Sequence, residues 1–208
     1  MSQQAIKHLS KDPVLAKLIA QHGPYEPRPP GDLAPYRALL RAIVHQQISG
    51  KAAATILGRF LDLFPGEFPD PKQLAKADVE HLRSAGLSRN KAMAVIDLAA
   101  KTIDGTIPAT EQLQALSDDE IVERLIQVRG VGKWTVEMYL MFTLERPDIL
   151  PLDDIGIRNG IRAAWNMDER PTKKQLVEMG RAWSPWRTMA SWYLWRAADM
   201  ASLPDGKK

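Results

Sequence analysis

The chain has 208 residues, 45% of them hydrophobic, enough to bury a substantial core as one domain or as two small lobes around a cleft. Lys and Arg outnumber Asp and Glu by 28 to 25, and the net charge of +3 agrees with an anionic partner without singling one out. There is no cysteine, which excludes disulfides, thiol nucleophiles, thiolate zinc sites and cysteine-held iron–sulfur clusters, and the four histidines at 8, 22, 45 and 81 lack metal-ligand spacing.

The N-terminal stretch MSQQAIKHLSKDP is polar, and no run approaches membrane-spanning length. An intracellular protein with no membrane partner is expected, cytoplasmic and nucleoid-associated if bacterial. Asp12-Pro13 reads as an N-cap followed by proline at the first helical position. A Pro-rich connection, YEPRPPGDLAP, occupies 25–35. Tyr36, Leu39, Leu40, Ile43 and Val44 then fall at i, i+3, i+4, i+7 and i+8, the buried stripe of an amphipathic helix. VHQQISGKAA ends that helix and begins the next, whose stripe is Ala53, Ile56, Leu57, Phe60, Leu61 and Phe64. Asp70-Pro71 opens another helix, and Ala92, Val95, Ile96, Ala99 and Ile103 form a third stripe. Ser117-x-x-Glu120 and Thr172-x-x-Gln175 read as capping boxes, and Ser184-Pro185 as a further cap with its proline. No segment sustains period-2 alternation. The expected fold is all-α, a two-lobed bundle of about 10–11 helices at ordinary helix lengths.

QVRGVGKWTVEMY, from Gln127 to Tyr139, resembles a nucleotide-binding loop at first sight. That loop requires Gly-x4-Gly-Lys-Ser/Thr after a buried strand. Gln127 stands where the first glycine is needed, Trp134 stands where Ser or Thr is needed, and the preceding SDDEIVERLIQV is a capped helix. What remains is helix (118–127), tight turn (128–132) and helix (133 to about 144). Such a turn brings backbone close to another surface, and the second helix points its N–H groups and dipole at an anion. Lys133 adds a mobile positive charge. Gly130, Val131, Gly132 and Lys133 would thus grip a phosphodiester without reading sequence. An ordinary αα-hairpin with a glycine C-cap fits Gly-Val-Gly-Lys equally well.

LPLDDIGIRNGIRAAW, 150–165, opens a helix with two carboxylates where one suffices as a cap. If Asp153 caps, Asp154 is left at the first turn with its carboxylate available; both could equally do no more than favour the positive helix end. SPWRTMASWYLWRAADM carries a buried stripe of Trp186, Met189, Ala190, Tyr193, Leu194 and Ala197, with Trp192 and Trp195 on a flank. Six Trp in the chain is rich, and aromatic walls suit a pocket for an extruded base, although packing against a neighbouring helix would also account for any one of them.

In this order, VRGVGKWT, Leu-Pro-x-Asp-Asp and WSPWRTMASWYLW together resemble the helix-hairpin-helix (HhH-GPD) superfamily of DNA base-excision glycosylases. The likeness runs from about residue 34 to 200 and is nearest the DNA-3-methyladenine glycosylase II (AlkA-type) branch, in the short form without an N-terminal α/β domain. It implies a single glycosylase domain over 1–208 with the hairpin at its cleft. One lobe would span about 34–115. The other would span about 116–165 with the hairpin, joined by the terminal segments 1–33 and 166–208.

The resemblance also implies roles. Amides around Gly130, Gly132 and Trp134 would hold the phosphate, with Lys133 nearby, and some members place a monovalent cation, Na⁺ or K⁺, on hairpin carbonyls that fall here near Val128 and Val131. No other cofactor is implied. Bifunctional relatives carry a lysine nucleophile where this chain has Trp134, so no lyase step is expected. Asp154 matches the catalytic aspartate, with Asp153 as its supporting cap. Trp134 and Trp195 match pocket walls, Trp192 lies beside them, and Met138 stands where some relatives have an aromatic residue. Gln46, Gln47 and Ile48 match the connection that contacts DNA and fills the gap left by a flipped nucleotide; a polar helix end with Ile48 packed inward is the other reading. The implied partner is double-stranded DNA carrying alkylated bases such as 3-methyladenine or 7-methylguanine, met by a monomer. A helix-hairpin-helix module that only binds DNA, or a glycosylase for another lesion class, are the alternatives.

Overall fold

The computed structural model describes residues 2–26 and 34–202; residues 27–33 of the expected Pro-rich connection and the terminal PDGKK lie outside the described residues. Among the described residues there are thirteen helices and no strand. They are α1 (Ser2–Leu9), α2 (Pro13–His22), α3 (Pro35–His45), α4 (Gly50–Leu61), α5 (Pro71–Leu74), α6 (Val79–Ser84) and α7 (Arg89–Ile103). After these come α8 (Thr110–Gln114), α9 (Asp118–Leu125), α10 (Lys133–Phe142), α11 (Ile155–Ala164), α12 (Lys173–Arg181) and α13 (Arg187–Ser202). The count exceeds the expected 10–11 because residues 70–115 include three helices of only four to six residues, α5, α6 and α8.

Local chemistry explains most of the helix starts. Asp12 accepts from Val14 N and Leu15 N, and Asp70 accepts from Lys72 N, each ahead of its proline. Both capping boxes form, Ser117 with Glu120 and Thr172 with Gln175. Each such cap is worth about 1 kcal/mol. Ser184-Pro185 departs from expectation. It is a cis peptide in the turn before α13, which begins at Arg187, and the Ser184 hydroxyl donates to Asp148 rather than capping a helix.

The chain divides into two compact units. One is Pro30–Leu144; the other joins Met1–Pro29 to Glu145–Lys208. This differs from the expected lobes, because residues 116–144 belong with 34–115 rather than with the chain ends. The reason is packing: α10 lies against both α9 and α3.

In the central unit, α7 is the organising helix, with α3, α5 and α6 against it. Leu39, Leu40, Ile43, Val44, Val95 and Leu98 are buried there. Fully burying a side chain of this size contributes about 1.5–3 kcal/mol. Ile103, expected on the α7 stripe, is exposed, since the helix ends there and Gly105 turns the chain away at φ +82°.

In the terminal unit, Leu9 of α1 and Leu15 of α2 pack with Ile157, Ile161, Trp183 and Tyr193. Trp183 Nε1 donates to Asp12 at 3.1 Å, and Tyr193 donates its hydroxyl to the Gly23 carbonyl at 3.0 Å. These bonds tie the first helices to the last. The Arg187 guanidinium makes a two-pronged contact with Asp148 at 2.7 and 2.8 Å. Helices α11 and α13 approach closely through glycines: a Cβ on Gly160 would sit 1.9 Å from the Leu194 carbonyl oxygen, where no side chain fits.

Candidate functional site

The hairpin forms as the sequence indicates. Helix α9 ends at Leu125, Val131 N closes the turn onto the Val128 carbonyl at 3.0 Å, and α10 starts at Lys133. Gly130 takes φ +75°, which L side chains rarely adopt. Gly132 does not: its φ is −96°. It serves instead as an N-cap without a side chain, and a Cβ there would meet nothing within 4 Å. Smoothness rather than left-handed geometry is what it supplies. The start of α10 therefore presents backbone, its dipole and Lys133 to whatever approaches. Lys133 is exposed and lies 3.8 Å from the buried Glu137 one turn on, so its charge is already partly matched.

Two side chains hold the hairpin from behind. Asp97 of α7 accepts from Arg129 N at 2.7 Å, and Gln46, at the end of α3, donates to the Gly130 carbonyl at 3.0 Å. Gln46 thus braces the hairpin. Gln47 follows with φ +59°, unusual for a residue that is not glycine, and is exposed. Ile48 is also exposed, at 38%, so the reading in which it packs inward is overturned. On α10, Trp134 is exposed at 45% and Met138, one turn later, is half-buried.

The carboxylates sort differently from expectation. Asp154 itself is the N-cap of α11, accepting from Ile157 N at 2.8 Å, and is 8% exposed. Asp153 does not cap; it is exposed and ion-paired to Lys173. The turn closes one residue later than expected, with Asp154 N bonded to the Pro151 carbonyl at 3.2 Å, which leaves Asp154 as the last extended residue. The same Asp154 Oδ1 accepts from Trp195 Nε1 at 2.9 Å. Cap and candidate catalyst are one residue, its carboxylate plane set by two donors.

Trp195 reaches that oxygen because Gly156 has no side chain. A Cβ on Gly156 would lie 2.8 Å from Trp195 Cδ1 and 3.0 Å from Asp154 Oδ1. Sequence reasoning missed Gly156 and Gly160, although the signal was present: two glycines four apart inside one amphipathic helix mark a close approach by another chain segment. Trp192 packs differently from Trp195. Its ring meets Tyr25 edge-on at 5.5 Å and Tyr193 at 4.9 Å, and Arg196 lies over it at 4.3 Å. Of the residues expected at the site, Trp134 and Met138 belong to the central unit and Asp154 and Trp195 to the terminal one.

No group of three or more His, Cys, Asp or Glu that could hold a metal ion occurs among the described residues. The carbonyls of Val128 and Val131 are neutral, hard oxygen donors, a donor type that suits Na⁺ or K⁺.

Comparison with known proteins gives one answer. A family model described as HhH-GPD superfamily base excision DNA repair protein matches residues 40–186. The chain is 40% identical over 188 residues to DNA-3-methyladenine glycosylase 1 of Schizosaccharomyces pombe, covering 90% of this chain and 82% of that protein. A solved structure of S. pombe 3-methyladenine DNA glycosylase in complex with abasic DNA superposes with a TM-score of 0.84 at 38% identity, over 99% of this chain and 100% of that one. A DNA-3-methyladenine glycosidase from Bacillus halodurans superposes at 0.83 with 33% identity, over 94% and 88% of the two chains.

Proposed function

The chain belongs to the HhH-GPD superfamily of base excision DNA repair proteins, and we infer that it is a monofunctional DNA glycosylase for alkylated purines. It flips the damaged nucleotide out of duplex DNA and hydrolyses its N-glycosidic bond, leaving an abasic site. The observation that carries the chemistry is the buried Asp154 carboxylate, fixed by Ile157 N and Trp195 Nε1. The relatives' activity supports the substrate class.

Breaking the bond from C1′ to the base nitrogen sends its electron pair to the leaving base and builds positive charge on the deoxyribose. A fixed, poorly hydrated carboxylate stabilises that charge and orients the water that adds to C1′, whose proton it can take. A purine alkylated at a ring nitrogen is already cationic and departs as a neutral base. It needs no strong general acid. Stacking such a cation on Trp134 or Trp195 favours it over undamaged purines. Trp134 occupies the position where bifunctional relatives have lysine, and an indole cannot attack a sugar carbon, so the reaction ends at hydrolysis.

Gly130, Val131, Gly132 and Lys133 take the phosphate, and Gln47 with Ile48 fill the stack. A monovalent cation on the carbonyls of Val128 and Val131 would add positive charge beside that phosphate. The working unit is a monomer acting on duplex DNA inside the cell.

The test is mass spectrometry of bases released from methylated duplex DNA by the purified protein. Free 3-methyladenine or 7-methylguanine, with unbroken strands carrying abasic sites, is the expected result. DNA binding with no base released would leave a DNA-holding module instead.

A further inference from the structure

The turn between α3 and α4 is held by a residue that nothing in the hairpin or at Asp154 uses. Lys91, half-buried on α7, directs its ammonium at two carbonyls, 2.7 Å from Val44 O and 2.6 Å from Gln46 O. Both oxygens lie at the C-terminal end of α3, where the helix offers no further N–H groups and the negative end of its dipole favours a cation. Burial pushes the Lys91 amine below its ordinary pKa. A lysine kept in such surroundings is held for its contacts and not for solubility.

Those contacts bracket the turn. A helix that ends with the chain turning left-handed commonly has glycine there. Here Gln47 turns left-handed at φ +59°, directly after one of the two gripped carbonyls. Ile48 follows, exposed, and Ser49 caps α4 through Ala52 N. Gln46, whose carbonyl Lys91 holds, uses its own side chain to bond the Gly130 carbonyl. Lys91 therefore stands under a single assembly. The exposed Gln47–Ile48 tip and the hairpin turn are linked by one residue, and that residue is fixed from α7. Apolar side chains that part base steps act only when held rigidly, because unstacking costs a few kcal/mol per step.

We propose that Lys91 is a positioning residue for DNA distortion: by gripping the Val44 and Gln46 carbonyls it holds the Gln47–Ile48 tip in the posture that enters the base stack as a damaged nucleotide leaves it. This rests on the glycosylase reading above. Lys91 touches neither substrate nor Asp154; it acts through the turn.

The test is a double-mutant cycle on single-turnover base release from a duplex with one 7-methylguanine, combining Lys91→Met and Ile48→Ala. Methionine matches the length of lysine and donates nothing. Lys91→Met is expected to slow release on the order of tenfold in the wild-type background, and far less once Ile48 is already alanine. The loss should shrink when the lesion faces an abasic-site analogue, since no base pair then has to be broken. The salt dependence of duplex binding should stay unchanged, because Lys91 meets carbonyls and not phosphates. Additive losses in the cycle, no loss in a folded variant, or a salt slope lower by about one would each overturn the proposal. Should thermal unfolding show Lys91→Met unfolded at assay temperature, the cycle is run with Lys91→Gln, whose amide keeps one donor, and is judged by the same coupling. Absence of base release by the wild-type protein would instead sink the glycosylase reading, so the two failures are distinct.

Discussion

The indole nitrogen of Trp195 donates a 2.9 Å hydrogen bond to the same Asp154 oxygen that caps α11. One oxygen thus serves a helix terminus and, through its partner ring, the orientation of the carboxylate proposed to act on the sugar. The structural role and the proposed chemical one meet at a single atom, and they can be separated by substitution.

Asp154→Asn keeps an oxygen able to accept from both donors, and asparagine caps about as well as aspartate. Stability should change by less than about 1 kcal/mol, whereas Asp154→Ala should lose about 1–2 kcal/mol. Base release should fall by about 10²–10³ in Asp154→Asn with duplex binding retained. Thermal unfolding, gel-shift binding and single-turnover release give the three readings. Equal release by mutant and wild type would remove Asp154 from the reaction.

The two glycines of α11 should respond differently to a methyl group. At Gly160 it meets the Leu194 backbone at 1.9 Å and the helices must part. Gly160→Ala should cost about 3 kcal/mol or more, or prevent folding. At Gly156 the nearest atom belongs to the Trp195 ring, which can swing aside. Gly156→Ala should stay folded, helped by alanine's better helix propensity, worth about 0.5–1 kcal/mol. Its base release should nevertheless fall roughly tenfold, as the Trp195–Asp154 bond is charge-assisted and worth about 1.5–3 kcal/mol. Full activity in Gly156→Ala would show that this bond does not matter to the reaction.

Lys133→Ala should weaken binding to damaged and undamaged duplexes alike, and reduce the slope of log affinity against log salt by about one. Fluorescence anisotropy titrations across a range of salt provide the check. Lys133 itself is exposed and its contact with the buried Glu137 is long, at 3.8 Å, so unfolding should move by less than about 1 kcal/mol. A loss confined to one lesion would argue against a phosphate contact.

Acid should act on the terminal unit through Asp148. Burial on its own would raise this carboxyl, but the hydrogen bonds from Arg187 and Ser184 outweigh it and hold the group below the ordinary carboxylate range. With the folded pKa depressed, the stability contributed is fully present above the unfolded value and is lost as pH falls through the folded one. Asp148→Asn should lower stability at neutral pH by about 1–3 kcal/mol, a figure already reduced for partial exposure of both partners. It should also flatten the loss seen on acidification. Urea unfolding at pH 7 and at pH 3 tests this, and parallel loss in mutant and wild type would assign the acid response to other groups.

How much of this was legible depended on range. Asp12, Asp70, Ser117 and Thr172 cap as read, since a cap and the N–H it serves lie within three residues. The buried stripe of α3 held for the same reason. Asp153 and Asp154 could not be ranked locally, because the choice was made by a turn closing on Pro151 and by Lys173 on another helix. Trp192 and Trp195 share a flank in sequence, and Tyr25, from the far end of the chain, is what separates them. Lys91 gave no signal at all: its partners lie 45 and 47 residues earlier and are backbone atoms, which a sequence does not distinguish.

The terminal unit is made from both ends of the chain, with α1 and α2 packed among Ile157, Trp183 and Tyr193. During synthesis, α1 and α2 precede the residues beyond 145 with which they form one unit, whereas Pro30–Leu144 is contiguous and is finished earlier. A nascent chain therefore acquires its hairpin turn before it owns Asp154. Translation itself imposes that order on the turn proposed to hold phosphate and the carboxylate proposed to act in base release, and a product stalled between them is expected to lack base release.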